Sequence, residues 1–338
     1  MNILVTGGAG FIGSNLVYSL HDRCPDWNIT VVDALTYAGN LHNIASLVDT
    51  GKVAFSKCDI ADATSVHALF EEKQFEMVFH LAAESHVDRS IHSASEFVRT
   101  NVLGTQTLLD ASLAIGVKRF MHISTDEVYG SLGPTGKFTE QTPLDPTSPY
   151  AASKAASDLL VEAFHKTHGL DAIITRCTNN YGPYQFPEKF IPLFISNAME
   201  DKPLPLYGDG MNVRSWLYVT DHCDALYLLS QKGVAGEAYN IGGDDAAEIP
   251  NKIVAEAICS SLGKSSDLIQ YVTDRLAHDR RYAVDFSKIH QAVGWEPSVP
   301  FEDGLLRTIA WYQEHRSWWE EIKSGEYRDY YQRHYSGR

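Results

Sequence analysis

Asn2-Ile3-Leu4-Val5-Thr6-Gly7-Gly8-Ala9-Gly10-Phe11-Ile12-Gly13 opens the chain with an apolar, strand-like run that ends in a cluster of glycines. Gly8, Gly10 and Gly13 satisfy G-x-G-x-x-G, and Gly7, Gly10 and Gly13 satisfy G-x-x-G-x-x-G equally well. Such glycines allow a tight turn and let a pyrophosphate reach the backbone amides at a helix N-terminus. The motif alone is weak, but here a strand pattern precedes it and a helix pattern, opened by Phe11 and Ile12, follows. An acid is then required about 20 residues further on. Asp33, at the end of the second apolar run, supplies it. A carboxylate there suits a ribose 2′-hydroxyl and repels a 2′-phosphate, so NAD is expected over NADP. Asp59, after the third run, is a candidate for the adenine edge.

Outward from this turn, short β-branched runs recur at Ile3–Thr6, Ile29–Asp33, Val53–Lys57, Met77–His80, Phe120–Ser124 and Ala172–Thr175. Most are nearly all apolar, as strands buried on both faces of a parallel sheet are. Amphipathic stretches lie between them, notably 95–115 and 150–168. The alternation predicts an α/β fold, a doubly wound parallel Rossmann-type sheet. Residues 1–180 are expected to form the NAD-binding domain, with a return at 221–245 that includes a helix at 221–231 and the strand Ala238–Ile241. Residues 181–338 are expected to form mainly a smaller C-terminal α/β substrate domain. Prolines gather there at 183, 187, 192, 203 and 205, and helix patterns run over 250–263 and 301–316. The aromatic tail from 317, with Trp318, Trp319, Tyr327, Tyr330, Tyr331 and Tyr335, reads as a core-covering segment or an interface patch, the former favoured.

Composition bounds the function. The chain of 338 residues carries a net charge of −15 and a pI near 5.3. A broad basic surface for nucleic acid is excluded as an expectation. Five cysteines (24, 58, 177, 223 and 259) lack ligand spacing and pairing, so no metal and no disulfide is expected. No apolar run reaches membrane-spanning length. Met1 leads straight into the first strand, so a cytoplasmic protein without a leader is expected.

The chemistry centres on Ser124-Thr125-Asp126-Glu127-Val128-Tyr129-Gly130 and Tyr150-Ala151-Ala152-Ser153-Lys154. Tyr150 and Lys154, four apart, share one helix face. The Lys154 ammonium is placed to lower the phenol's pKa, and the phenolate can take a proton from a hydroxyl as hydride leaves for NAD. Leu81-Ala82-Ala83-Glu84-Ser85 follows the fourth strand, where small residues let backbone lie against a cofactor. Thr125 follows a later strand and faces the same crevice. Asp126 and Glu127 read either as a solvated turn or as an acid/base pair. Once a ketone stands next to a carbon bearing a proton, one carboxylate can take that proton and a protonated carboxyl can donate to a departing hydroxyl. Elimination, epimerisation and simple oxidation all remain open on this scaffold.

Longer segments carry a resemblance. They are Leu35-Thr36-Tyr37-Ala38-Gly39-Asn40, Ala82 to Ser90, Ser124 to Gly130, Ser148 to Lys154, Asn179 to Tyr184, Tyr207 to Gly210 and His278 to Tyr282. Together with the glycine motif they resemble the extended short-chain dehydrogenase/reductase superfamily of nucleotide-sugar enzymes, and within it the family of dTDP-glucose 4,6-dehydratases. The resemblance covers essentially the whole chain. It implies that Tyr150, with Thr125 and Lys154, serves the glucose 4-hydroxyl. It also implies that Glu127 takes the C5 proton, that Asp126 protonates the C6 hydroxyl, and that the same hydride returns to C6. Cofactor contacts are implied at Leu35, Thr36, Ile60, Thr100 and Asn180, beside Gly7, Gly10, Phe11, Ile12, Gly13, Asp33, Asp59, Leu81, Ala82, Ala83 and Ser85. Contacts to the nucleotide sugar are implied at Ser85, Thr125, Asn179, Lys189, Phe190, Pro205, Tyr207, Arg214, Asn251, Arg275 and His278. A homodimer built on the helices 95–115 and 150–168 is implied too.

Two departures from the family pattern stand out. Leu276-Ala277 replaces the usual Pro-Gly, and Asp244–Pro250 is longer and more acidic than expected; both bear on the choice of nucleotide base. The nearest rival readings are a nucleotide-sugar 4-epimerase or decarboxylase, for which Asp126-Glu127 is superfluous. A non-catalytic NAD-sensing protein would have no use for the Tyr150/Lys154 pair.

Overall fold

The structure, a computed structural model, describes residues 1–274 and 278–324. Six strands of the first half, β1 (Asn2–Thr6), β2 (Asn28–Asp33), β3 (Val53–Lys57), β4 (Met77–His80), β5 (Arg119–Thr125) and β6 (Ala172–Cys177), lie in one sheet. The later strands are β7 (Asn179–Tyr181), β8 (Leu204–Tyr207), β9 (Val213–Tyr218), β10 (Ala238–Ile241), β11 (Glu248–Pro250) and β12 (Ile269–Val272). Of these, β10 joins the main sheet beside β6, giving the order β10-β6-β5-β4-β1-β2-β3, parallel throughout. The direction of winding reverses between β1 and β4, and ligands of such sheets bind at that reversal, beyond the strands' carboxyl ends.

Strand side chains alternate faces. Ile3 and Val5 enter one apolar core with Leu16, Leu20 and Leu226, while Leu4 enters the opposite core with Phe70, Leu108 and Phe120. Burial on both faces explains the unbroken apolar runs. A second unit gathers β7, β9 and β11 in one small sheet and β8 with β12 in another. Its core holds Tyr181, Phe194, Trp216, Ile258, Leu305, Tyr312 and Trp319. Trp319 is fully buried, and Trp318 donates to Asn43 Oδ1 (2.9 Å), so these two tail residues do cover core. Tyr327, Tyr330, Tyr331 and Tyr335 lie outside the described residues.

One helix differs from its expected form. The stretch 95–115 is helical, but Val98–Leu103 widens into a π-helix between Ser95–Phe97 and Gly104–Ile115. Such widenings cluster at functional sites. This one buries Asn101, which donates to Ser153 Oγ (2.8 Å) and Glu84 O (3.0 Å) and accepts from Glu84 N (2.8 Å).

Candidate active site

The glycine turn is shaped by what it lacks. Gly7 has φ +69°, and a Cβ there would lie 2.7 Å from Ala82 N. A Cβ on Gly13 would lie 2.1 Å from Gly7 O. Gly7, Gly10 and Gly13 line the main cleft, whereas Gly8 packs on Val31, so the wider glycine spacing describes the turn. The helix Phe11–Arg23 starts at Gly10 with no side-chain cap, leaving its amide end to the cleft. Asp33 is pinned across the turn, Oδ2 accepting from Ala9 N (3.0 Å) and Oδ1 from Leu35 N (2.8 Å). A cradle that tolerates no Cβ, a bare helix N-terminus and a fixed carboxylate on the next strand fit the pyrophosphate and ribose of a dinucleotide.

A cleft of about 370 Å³ runs from this turn to the end of β5. Its lining brings together the expected Phe11, Ile12, Thr36, Asp59, Ile60, Leu81, Ala82, Ala83, Ser85, Thr100, Asn179, Asn180 and Lys189 with Thr125, Asp126, Glu127, Tyr150 and Lys154. Leu35 is not on the lining; it carries φ +53° and serves Asp33 through its amide. The side chain of Asn180 is already engaged, Nδ2 donating to Thr178 O (2.9 Å) and Oδ1 facing His222 Nδ1 (2.9 Å). Asp59 is engaged as well, with Arg99 donating to Oδ2 at 2.6 Å.

The nucleotide-sugar set is divided. Lys189 reaches the cleft and donates to Ser85 O (2.9 Å). Phe190 turns into the second core against Phe194 (4.3 Å). Pro205, Tyr207, Arg214, Asn251 and His278 stand off this lining, on β8, β9 and the segments beside them. Tyr207 donates to Asp88 Oδ2 (3.3 Å), and His278 Nδ1 lies 2.5 Å from Asp274 Oδ1. Arg214 is buried, donates to Val213 O (2.8 Å) and Asp279 O (3.0 Å), and lies over the Tyr282 ring. Asn251 opens a helix with Oδ1 buried and unpartnered. Arg275, with the Leu276-Ala277 departure, lies outside the described residues. The acidic segment Asp244–Pro250 is tied down within the fold. Asp244 caps a short turn, β11 pairs with β9, and Arg281 clasps Glu248 Oε2 through Nε (3.1 Å) and Nη2 (2.6 Å).

At the end of β5, Thr125 Oγ1 accepts from Glu127 N (3.3 Å) and caps the turn Asp126–Tyr129. Asp126 is buried; burial first, then the neighbouring Glu127 carboxylate, pushes its carboxyl up to about 8, so it holds a proton at neutral pH. Ser148 caps the helix Pro149–His168, accepting from Ala151 N (3.1 Å), and so sets Tyr150 and Lys154 at its start. Thr125 and Tyr150 line the same end of the cleft, and the Thr125 hydroxyl favours the ionised phenol.

The expected lowering of the Tyr150 pKa is not what this state shows. Burial, reinforced by Glu127, Cys177 and Asp126, raises that phenol well above its ordinary value despite the opposing influence of Thr125. Lys154 donates to Ile123 O (2.8 Å), and burial pushes its ammonium down to about 8. A dry cleft penalises phenolate and ammonium alike.

Several lining residues escaped the sequence reading. Tyr37, Glu84, Arg99, Gln185 and Glu188 all reach the cleft, and Asn101 ties its wall to the Tyr150 helix. Glu188 had one signal, its place next to Lys189. Arg99 and Asn101 had none, because π-widening leaves no trace in hydrophobic periodicity.

The fold and this cleft define a Rossmann-type enzyme of the nucleotide-sugar class, with a Tyr/Lys pair and an acid pair in one site. More particularly, the chain belongs to the family described as GDP-mannose 4,6 dehydratase, whose model matches residues 4–308. It is similar to a dTDP-glucose 4,6-dehydratase of Streptomyces niveus, 50% identical over 328 residues, 96% of each chain. Among solved structures it is similar to a dTDP-glucose 4,6-dehydratase of Streptomyces venezuelae with NAD bound (TM-score 0.92, 50% identity, covering 96% of this chain and 100% of that one). A UDP-glucose 4-epimerase of Thermotoga maritima is more distant, at TM-score 0.86 and 31% identity, covering 93% of this chain and 99% of that one.

Proposed function

We propose that the chain is a hydro-lyase that converts dTDP-glucose to its 4-keto-6-deoxy product on bound NAD. One observation carries the reaction type: a buried Asp126 next to Glu127, on the cleft lining that also brings in Thr125, Tyr150 and Lys154, with burial favouring the neutral form of Asp126. Epimerisation and decarboxylation need no such pair. Relatives near 50% identity over almost the whole chain support the thymidine nucleotide.

Gly7, Gly10 and Gly13, with Asp33 and the wall Leu81–Ala83, would hold NAD. Bound there, NAD would supply hydride transfer, from C4 and back to C6, and a positive charge beside the phenol. Tyr150 takes the proton of the 4-hydroxyl, assisted by Thr125 and Lys154. Glu127 removes the C5 proton, made acidic by the new C4 ketone, exchanges it with water, and returns a proton to C5 when hydride adds at C6. Asp126 gives its proton to the C6 hydroxyl, which leaves as water, and the C5–C6 double bond forms. Lys189, Asn179 and Ser85 bind the sugar and diphosphate, and Arg214 adds positive charge near Asp126. Tyr207, Asn251, Arg275 and His278 complete the nucleotide pocket.

The proposed setting is a cytoplasmic homodimer making precursors of deoxysugars. Among the described residues no helix is long and apolar enough to cross a membrane. Val98, Leu103 and Leu159 are each about half exposed on the two long helices, which supports pairing with a second copy through that face.

The test is turnover in D₂O with a panel of nucleotide glucoses. The expected product is 4-keto-6-deoxy, deuterated at C5, with no net NADH and with preference for the thymidine nucleotide. Formation of a galactose epimer, or lasting NADH, overturns the reaction; preference for another base overturns the substrate.

A further inference from the structure

One helical turn beyond Lys154 on the same helix stands Asp158, fully buried. Its carboxylate is hydrogen-bonded from one strand and faced from another. Arg176 Nε donates to Oδ2 at 2.9 Å from β6, and His122 Nε2 lies 3.3 Å from Oδ1 on β5. Arg176 Nη1 also donates to the Tyr129 hydroxyl (2.9 Å), which donates to Asn240 Oδ1 (2.8 Å) on β10. The chain of contacts therefore ties the catalytic helix to three parallel strands, directly under the Tyr150/Lys154 pair. The reaction derived above uses none of these groups.

Their charges decide what they do. Burial works against charge on Asp158, yet His122 and Arg176 keep its carboxyl below the usual carboxylate range, so it is an anion. His122 is pushed down to about 4, by burial and then by Lys154, so it is neutral. His80, 5.3 Å from His122 ring to ring on β4, is pushed further down and is neutral as well. The groups that act on or are acted on by Lys154 are Asp158 from its own helix, His122 from β5, Cys177 from β6 and His80 from β4; Tyr150, Asp126 and Glu127 share its cleft lining, and Arg176 lies behind Asp158. Burial holds Asp126 protonated and pushes the Cys177 thiol up to about 12, leaving Asp158 and Glu127 as the anions of this set. Glu127 is committed to the substrate's C5 proton. Asp158 is the permanent anion.

We propose that Asp158, fixed by Arg176, is a positioning residue that keeps Lys154 an ammonium and so sets the proton affinity of Tyr150. Arg176 orients the carboxylate, and neutral His122 fills the remaining approach without adding a competing cation. The reaction in which this matters is the one proposed above. The electrostatic coupling itself needs no substrate, so the two ideas fail separately.

The test is an NMR titration of ¹³C-lysine-labelled, NAD-loaded enzyme, with Lys154→Met assigning the signal. In Asp158→Asn, Lys154 is expected to lose its proton at least about one pH unit lower than in the parent. The high-pH limb of kcat should move down with it. Asp158→Asn leaves Arg176 buried and unpaired, which can unfold a protein. Asp158→Asn/Arg176→Gln removes both charges, and the same direction of shift is expected. A Lys154 titration unchanged in the folded variants, with activity lost equally at every pH, would show a purely structural ion pair and overturn the proposal.

Discussion

In the function proposed above, the turn Gly7–Gly13 and the strands β8 and β9 would serve one substrate complex by opposite means. The turn works by removing side chains, so that backbone amides and a helix end meet the ligand. The strands work by side chains anchored elsewhere: Tyr207 on Asp88, and Arg214 on Asp279 and over Tyr282. A backbone site has no slack, because the atoms that touch the ligand are the atoms that hold the fold. A side-chain site is redundant and can lose one member. The two halves should therefore fail differently, abruptly in one and by degrees in the other.

The largest effect is expected at the turn. Gly13→Ala places a methyl 2.1 Å from the Gly7 carbonyl, which cannot move without opening the turn. The variant should purify without nicotinamide, read by absorbance of the released cofactor, and lose more than about 100-fold in activity. A variant that keeps full cofactor and turns over normally would erase the contrast. In the other half, Arg214→Gln should raise KM by about 10-fold or more, the worth of one charged hydrogen bond, with a smaller change in kcat. Loss concentrated in kcat would instead place Arg214 with the chemistry, which its nearness to Asp126 makes a sharp alternative.

The same contrast governs what the sequence discloses. Backbone sites have strict spacing, so the glycines, Asp33 and the strand ends were legible from one chain. The Tyr150/Lys154 pair was legible for a related reason, since a helix converts a spacing of four into a shared face. Arg99 and Asn101 were not, because their position depends on a π-widening that no local pattern marks. The charge states were the least legible. Nothing in Thr125-Asp126-Glu127 says which acid is buried, and the raised Tyr150 phenol reversed the expected sign for that reason.

Asp126 lies on the seam between the two halves, and its cost to the fold gives the smallest effect. Its folded pKa, about 8, stands well above the 3.8 of an ordinary aspartate, because burial favours the neutral acid. A group raised in this way contributes stability that is complete below its unfolded pKa and is lost as pH rises through the folded one. From about pH 4 to 8 the folded protein therefore surrenders stability at this residue. Asp126→Asn keeps the shape and cannot ionise, so it removes that loss. Thermal melts of parent and variant should nearly coincide at pH 4.5 and separate steadily above it, the variant melting on the order of 5 °C higher at pH 8.5. The same variant should oxidise bound substrate yet stall before water leaves, seen as NADH that persists at 340 nm. Its stability gain and its catalytic loss would then have one cause, a carboxyl kept neutral in a dry site so that it can give a proton away. If the melting difference were the same at pH 4.5 and pH 8.5, Asp126 would not be buried as the acid, and the proton for the C6 hydroxyl would have to come from elsewhere.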